Sequence, residues 1–431
     1  MVKERIAFYT FGCRLNQSET AVIQNGFSAD QYTVVDFREP ADIVVINTCT
    51  VTENGDADTK RLVQKINRIS PKARIALIGC QAQIQKEKLT TLPNVRWIVG
   101  NGKKMELSTL LSEQPHPGSP VVLTPTIERQ EFTMPFAGVD RSHTRANIKI
   151  QDGCDDFCSF CEIPYARGRA RSRKFEDILI ECRALVAAGY KEIVVTGINI
   201  GTYSQNKKTI PDVIEAMEQI DGLERIRISS IEPTTIPVPL IKKMARRSKL
   251  CRYLHIPLQS GSDFILKLMK RKYTSRQYDE RIRMAVDIVP EICIGTDVIV
   301  GFPGETAEHF QETAENLRQW PVHYFHVFSY SERTMSQSKH LRGKIPSQEI
   351  ASRSGILRSL SLRKRRMFQE NLLGTIQNVL FEDAHNGYWR GLTDNYIRVK
   401  VRSLENLANQ IRKIKLLNVD GREVEGSGLP C

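Results

Sequence analysis

From its first residues to about position 330, the chain repeats one pattern: a strand-length apolar run followed by a polar stretch long enough for a helix. The first series is IAFYTF (6–11), DIVVIN (42–47), ARIALI (73–78) and VRWIV (95–99), with DADTKRLVQKINRIS (56–70) as the clearest helix between them. Such alternation predicts a parallel sheet flanked by helices. A second series runs from about 146 to 330, with RANIKI, EIVVTGI, RIRISSI, YLHIPL, CIGTDVIV and YFHVFSY as strands. Helices are expected around 175–189, 210–220, 238–249, 262–288 and 305–318. Six β/α units are too few for an eight-fold barrel and suit a partial (β/α)6 barrel. After a helix-like stretch (347–374), the short alternations GTIQNVLFE, GYWRGLTDNYIRVKV and NQIRKIKLLNV read as a small all-β module. The fold class is therefore α/β, with an N-terminal parallel domain (1–111), the partial barrel (141–372) and the β-module (373–431). The proline-rich SEQPHPGSPVVLTPTI (112–127) opens a linker assigned to 112–140.

Composition narrows the function classes. With 431 residues, 41% apolar and 26% charged, the chain is an ordinary folded one of two or three domains. No apolar run approaches the ~20 residues of a membrane helix, and MVKERIAFYTFGCRLNQ has too short an apolar core for a signal peptide. A cytoplasmic protein with no membrane partner is expected. The net charge of +13 favours a polyanionic partner. Ten cysteines in that compartment point to metal ligation or catalysis rather than disulfides.

The densest chemistry is DGCDDFCSFCEIPYARGRARSR (152–173), where Cys154, Cys158 and Cys161 have the spacing C-x3-C-x2-C directly after a strand. Three such thiolates can bind three irons of a cubane and leave the fourth open to a substrate or cofactor. A zinc site would favour paired C-x2-C elements with a fourth Cys or His, and no such partner follows. This loop, with the aromatic Phe160 before its last cysteine, resembles that of the radical S-adenosylmethionine (SAM) superfamily. The resemblance implies a 4Fe–4S cluster on Cys154, Cys158 and Cys161 whose open iron binds SAM, and it implies the partial barrel.

A second trio lies upstream. Cys13, Cys49 and Cys80 each fall at the carboxyl end of a predicted strand. In a parallel sheet those ends share one edge, so cysteines 36 and 31 residues apart can converge. Three small buried thiols are the competing reading. With their flanks, FGCRLNQSE, NTCTVT and GCQAQ resemble the three N-terminal cysteine motifs of the methylthiotransferase family, and the likeness spans essentially the whole chain. It implies a second 4Fe–4S cluster on Cys13, Cys49 and Cys80, and a C-terminal TRAM-like RNA-binding module. NTCTVT and PYARGRARSR look most like the branch that methylthiolates N6-threonylcarbamoyladenosine in tRNA. The isopentenyladenosine branch, the ribosomal-protein branch and a non-catalytic iron–sulfur RNA-binding protein are the alternatives. As partners the resemblance implies the tRNA anticodon stem-loop and a flavodoxin- or ferredoxin-like electron donor; it is silent on oligomeric state.

Further pocket residues sit at strand ends. Thr196 and Gly197 of TGINIG, Ser229 and Glu232 of RISSIEP, Gln259 of HIPLQSGSD and Asp297 of TDVIVGFPGET are candidates for SAM contacts, with turns and helix caps as the alternative uses. GFPGE lacks the Lys-Ser/Thr of a phosphate-binding loop. No histidine stands in a Ser/His/Asp pattern. Basic residues cluster at Arg167, Arg169, Arg171, Arg173 and Lys174, at Lys242–Arg252, and at Arg363–Arg366. Phosphate contacts near the cluster loop are the functional reading and solvated helix faces the plain one. Tyr388, Trp389 and Tyr396 could stack RNA bases or fill a core. Cys182, Cys251 and Cys293 are read as core thiols and Cys431 as a tail residue.

Overall fold

The computed structural model of the protein describes residues 3–50, 53–112, 119–134, 143–246 and 248–428. Arg247, Cys431 and, of the linker assigned to 112–140, residues 113–118 and 135–140 lie outside them.

The first series of runs forms one parallel sheet. Its strands are β1 (Glu4–Thr10), β2 (Tyr32–Val34), β3 (Ile43–Thr48), β4 (Arg74–Gly79), β5 (Val95–Val99) and β6 (Val121–Leu123), in the order β2-β1-β3-β4-β5-β6. Helices α1 (Arg14–Asn25), α2 (Glu53–Ile69) and α3 (Cys80–Ile84) connect them. Ile43, Val45, Ala76, Ile78, Trp97 and Val99 pack on one face, with Val44, Ile46, Ile75, Leu77 and Ile98 on the other. Strands buried on both faces read as continuous apolar runs, which is why β3 and β4 were legible.

Two strands are additions to the expected set. β2 is only three residues long. β6 falls inside the stretch assigned to a linker, where Trp97, Ile98 and Val99 pair with Val121, Val122 and Leu123. Its β-branched residues satisfy an otherwise bare edge, and Pro120 and Pro125 bound it.

The second series gives six parallel strands: β7 (Arg145–Lys149), β8 (Glu192–Thr196), β9 (Arg225–Ile228), β10 (Tyr253–His255), β11 (Cys293–Val300) and β12 (Tyr324–Ser329). They form two three-stranded sheets, β9-β8-β7 and β10-β11-β12, that follow each other around an open barrel. A single bridge, Ile226 to Leu250, marks the seam. Ile148, Ile193, Val195, Ile226, Leu254 and Ile294 face the surrounding helices. By strand alternation, Asn147, Val194, Arg227, His255, Asp297 and His326 face the lumen. The expected helix 262–288 is two helices, Asp263–Leu268 and Ser275–Ile288, interrupted where Lys270 takes a left-handed φ of 58°.

Helix α4 (Ser347–Glu370) lies on β12 and leads to a closed five-stranded barrel, Ile376–Gly428. Residues at the N-terminal ends of the large barrel's strands share a core with it: Tyr253, Cys293 and Tyr324 pack with Val379, Phe381, Ile397 and Val399. Tyr396 stacks on Tyr253 at a centroid distance of 4.3 Å, with Tyr324 at 6.0 Å. Arg225 donates to the carbonyls of Leu392 and Asn378, and Arg227 to those of Thr393 and Asp394. The small barrel therefore closes the lower end of the large one, and Tyr396 belongs to a core. Cys182, Cys251 and Cys293 are buried.

Candidate active site

The N-terminal trio converges at one sheet edge. Cys13 follows β1 and caps α1, Cys49 directly follows β3, and Cys80 opens α3 after β4. Gly12 holds a left-handed φ of 90°, and a Cβ there would stand 2.7 Å from Cys49 Sγ. Only glycine fits both demands. Asn101 reaches Cys80 Sγ at 3.5 Å and the Ala166 carbonyl at 2.7 Å, tying this edge to the cluster loop of the barrel.

A buried ionic network runs along the same seam. Glu19, one and a half turns beyond Cys13 on α1, is fully buried among Lys104 (2.5 Å), Lys149 (2.7 Å) and Arg167 (2.9 Å). Asp152 takes Lys149 at 2.6 Å, Arg167 at 3.0 Å and Arg171 at 3.1 Å. Burial alone would raise the Glu19 carboxyl, but Arg167, Lys104 and Lys149 hold it well below its ordinary value. Lys104, Lys149 and Arg167 are buried and Arg171 half-buried, so the cations of this seam outnumber its two carboxylates, a surplus that suits an anionic group held beside it.

On the other side of the trio, Thr50 donates to Glu162 at 2.7 Å, and Arg333 joins Thr50 (2.7 Å), Asp56 (2.9 Å) and Glu162 (3.2 Å). The N-terminal domain is thereby clamped to both edges of the open barrel, through α1 on β7 and through Arg333 beyond β12.

The second trio lies on the loop after β7. Each sulfur accepts a hydrogen bond: Asp156 N–H to Cys154 (3.4 Å), Ile163 N–H to Cys161 (3.4 Å) and Arg271 Nη1 to Cys158 (3.2 Å). Burial raises all three thiols, Cys161 to about 12. Metal must therefore displace protons on loading. Among the described residues, His255, Asp297 and His326 form the one group of three with all ligand atoms within 4.8 Å of one another. The sulfurs of both trios stand wider than that, whereas a single tetrahedral zinc holds sulfurs about 3.8 Å apart, given its bonds of about 2.3 Å. The wider spacing suits several irons sharing sulfides.

The remaining candidates divide. Phe160, Gln259 and Asp297 line one cavity of about 170 Å³ beside the loop. Gln259, at a φ of 71°, bridges to β11 through backbone bonds with Asp297 and Ile299. Asp297 also meets His255 at 3.0 Å. Thr196, Gly197 and Ser229 end neighbouring strands, where the Ser229 amide donates to Val195 and its hydroxyl is buried without a partner. Gly197 is required by packing, since a Cβ would lie 3.0 Å from Gln151. Glu232 is held by Arg271; burial raises its carboxyl and the guanidinium opposes this. A second cavity of about 410 Å³ adjoins Cys154 and is lined by Asn199, Thr202 and Arg171.

The basic clusters divide: several members are taken up inside the protein by ion pairs or carbonyls, whereas Arg169, Lys174, Lys242, Arg246, Arg363 and Arg366 are exposed and open to phosphate. Arg167 and Arg173 are buried, the latter between Asp177 and Glu181. Lys243 pairs with Glu218 and Arg252 with Asp394. Lys364 donates to the carbonyls of Arg318 and Trp320 at the end of a helix, and burial lowers its ammonium to about 8. Arg271, Glu19, Arg333 and His326 escaped sequence reasoning. Arg271 lies 113 residues from Cys158 and has no local signature.

Comparison with known proteins agrees with this architecture. Residues 148–317 match the Radical SAM superfamily, and residues 5–100 match an uncharacterized protein family, UPF0004. The threonylcarbamoyladenosine tRNA methylthiotransferase MtaB of Aquifex aeolicus is 37% identical over 95% of this chain and 99% of its own length. Its Bacillus subtilis counterpart is 35% identical over 96% and 93%. A tRNA-2-methylthio-N(6)-dimethylallyladenosine synthase of Thermodesulfovibrio yellowstonii is 31% identical over 97% of each. Among solved structures, the radical S-adenosylmethionine methyltransferase TsrM of Kitasatospora setae matches with a TM-score of 0.55 at 16% identity over 76% of this chain and 75% of that one, a likeness of fold.

Proposed function

Because the chain belongs to the radical SAM methylthiotransferase family, we propose that it converts N6-threonylcarbamoyladenosine at position 37 of tRNA to its 2-methylthio derivative. As a radical SAM protein it uses SAM and a 4Fe–4S cluster. Cys154, Cys158 and Cys161 would hold that cluster, and Cys13, Cys49 and Cys80 a second one. When bound, these groups supply a SAM-derived radical able to attack an unreactive aromatic C–H, and the sulfur that replaces the hydrogen.

The observation that supports the reading is that the segments bearing the two cysteine trios are tied together, through the Glu19–Arg167–Asp152 network and through Asn101, which reaches both Cys80 and the Ala166 carbonyl. The chain's own residues then have distinct tasks. Arg271 fixes Cys158 and Glu232 in one hydrogen-bonded unit. Phe160, Gln259 and Asp297 shape the pocket beside the loop, where Thr196, Gly197, Ser229 and Glu232 complete the rim for SAM. A base inside a barrel can be reached only when the nucleotide is turned out of its stack, so the substrate is presented from the anticodon stem-loop. A flavodoxin- or ferredoxin-like protein supplies electrons in the cytoplasm; among the described residues no helix is long and apolar enough to cross a membrane.

The deciding experiment is mass spectrometry of tRNA nucleosides from a strain lacking this protein. Loss of 2-methylthio-N6-threonylcarbamoyladenosine with restoration by the wild-type chain supports the reading. Loss of the 2-methylthio isopentenyl nucleoside instead would move the protein to the other tRNA branch.

A further inference from the structure

Arg14 directly follows Cys13 and starts α1. Its Nη2 donates to the Tyr396 hydroxyl at 3.3 Å, while its Nη1 is buried without a hydrogen-bond partner. Among the described residues no carboxylate forms an ion pair with it. This is unusual in a molecule where Arg145, Arg167, Arg173, Arg227, Arg271 and Arg333 each face an acid. A buried guanidinium donor left unmatched costs free energy unless a ligand completes it.

Its position is specific. Arg14 lines a cavity of about 590 Å³ with Gln17, Arg145, Asn147, Val194 and Asn409, where all three domains meet. Asn147 and Val194 are lumen-facing residues of β7 and β8. Tyr396, its partner, stacks on the lumen-facing Tyr253. One residue therefore links the N-terminal cysteine edge to the lower lumen and brings into it a cation that no ion pair engages among the described residues, with Asp383 the remaining acid on the cavity wall. Arg145 in the same cavity is neutralised by Glu382 at 2.7 Å.

We propose that Arg14 is a specificity residue that binds the carboxylate of the substrate's N6 substituent. This rests on the function proposed above. On adenine, N6 and C2 lie on either side of N1, so a substituent on N6 borders the edge from which C2 must be approached. A side chain adjoining Cys13 is placed to meet it. A threonylcarbamoyl group ends in a carboxylate that can pair with a guanidinium in two-point geometry. An isopentenyl group offers no acceptor and would leave the cation desolvated and unpaired, which is discrimination by penalty.

The test uses the full chain with reconstituted clusters and three anticodon stem-loop RNAs, identical except at position 37: threonylcarbamoyladenosine, the same nucleoside with its carboxylate amidated, and adenosine. Dissociation constants are measured by fluorescence anisotropy. Wild type should bind the first RNA at least about tenfold more tightly than the other two. Arg14→Gln should erase that preference, and Arg14→Lys should retain part of it. Should the glutamine variant lose iron, the lysine variant and the amidated RNA give the same reading. A preference that survives Arg14→Gln overturns the inference alone. Equal losses on all three RNAs also overturn it, since they report a backbone phosphate contact. A wild type with no preference for the threonylcarbamoyl RNA overturns the proposed substrate, and this inference with it.

Discussion

Arg271 donates a 3.2 Å hydrogen bond to the sulfur of Cys158, from a helix break 113 residues further along the chain. Its other nitrogens are committed to Glu232 and to the Tyr273 hydroxyl, which in turn donates to the carbonyls of Pro257 and Leu258. A fixed, buried cation beside a cluster thiolate stabilises the more negative, reduced state. Arg271→Gln should therefore shift the midpoint potential of the barrel cluster negatively by about 60 mV, the one-electron equivalent of a tenfold change. Redox titration followed by electron paramagnetic resonance reads this directly, and an unmoved midpoint would count against the role.

The two trios should separate by function. Reconstituted wild type is expected to carry about eight irons, and the Cys154/Cys158/Cys161→Ala triple variant about half. Cys49→Ala should still cleave SAM to 5′-deoxyadenosine while forming no methylthio product, and Cys158→Ala should do neither. Product and 5′-deoxyadenosine are quantified together under dithionite. Loss of SAM cleavage in a Cys49→Ala protein with its barrel cluster intact by spectroscopy would show the division to be wrong.

Glu19 should matter for stability more than for chemistry. Glu19→Gln leaves Lys104, Lys149 and Arg167 without their shared carboxylate, a loss of about 3–5 kcal/mol by denaturant titration. Because the folded carboxyl is held below its unfolded value, its contribution is complete above about pH 4.3 and declines as pH falls further. The gap between wild type and variant, measured on cluster-free protein, should narrow by about 1.4 kcal/mol per unit below that pH. A constant gap from pH 6 to pH 3 would contradict the ionic account.

RNA contact by the small barrel can be checked at exposed cations outside the internal pairs. Arg412, Lys413 and Lys415 are exposed on one strand. Replacing all three with Gln should flatten the logarithmic salt dependence of tRNA binding by up to about 2 units, from about 0.7 per single-strand phosphate contact. An unchanged slope would remove this strand from the interface.

The sequence made the strands and both trios legible because each is a local signal: apolar runs of strand length, and cysteines at the run ends. Cys13, Cys49 and Cys80 could be placed on one edge because parallel topology alone dictates it. What stayed hidden was pairing. Arg167 and Arg173 looked like phosphate ligands because a run of arginines carries no mark of the Glu19, Asp152 and Glu181 that consume them. Val121–Leu123 looked like linker because three residues between prolines are too few to show a period. Tyr396 left both RNA stacking and core open, because its ring partners Tyr253 and Tyr324 lie more than 70 residues upstream.

The stacked tyrosines also bear on how the protein can be dissected. With Tyr396 seated against Tyr253 and the guanidinia of Arg225 and Arg227 anchored on carbonyls of the small barrel, the C-terminal module is a wall of the reaction chamber. A truncation ending near Leu373 would unroof that chamber from below and strand two buried arginines in water. Turnover and tRNA affinity would fall together in such a fragment, so shortening the chain cannot tell a docking platform from a catalytic part; point changes on the outer strands can.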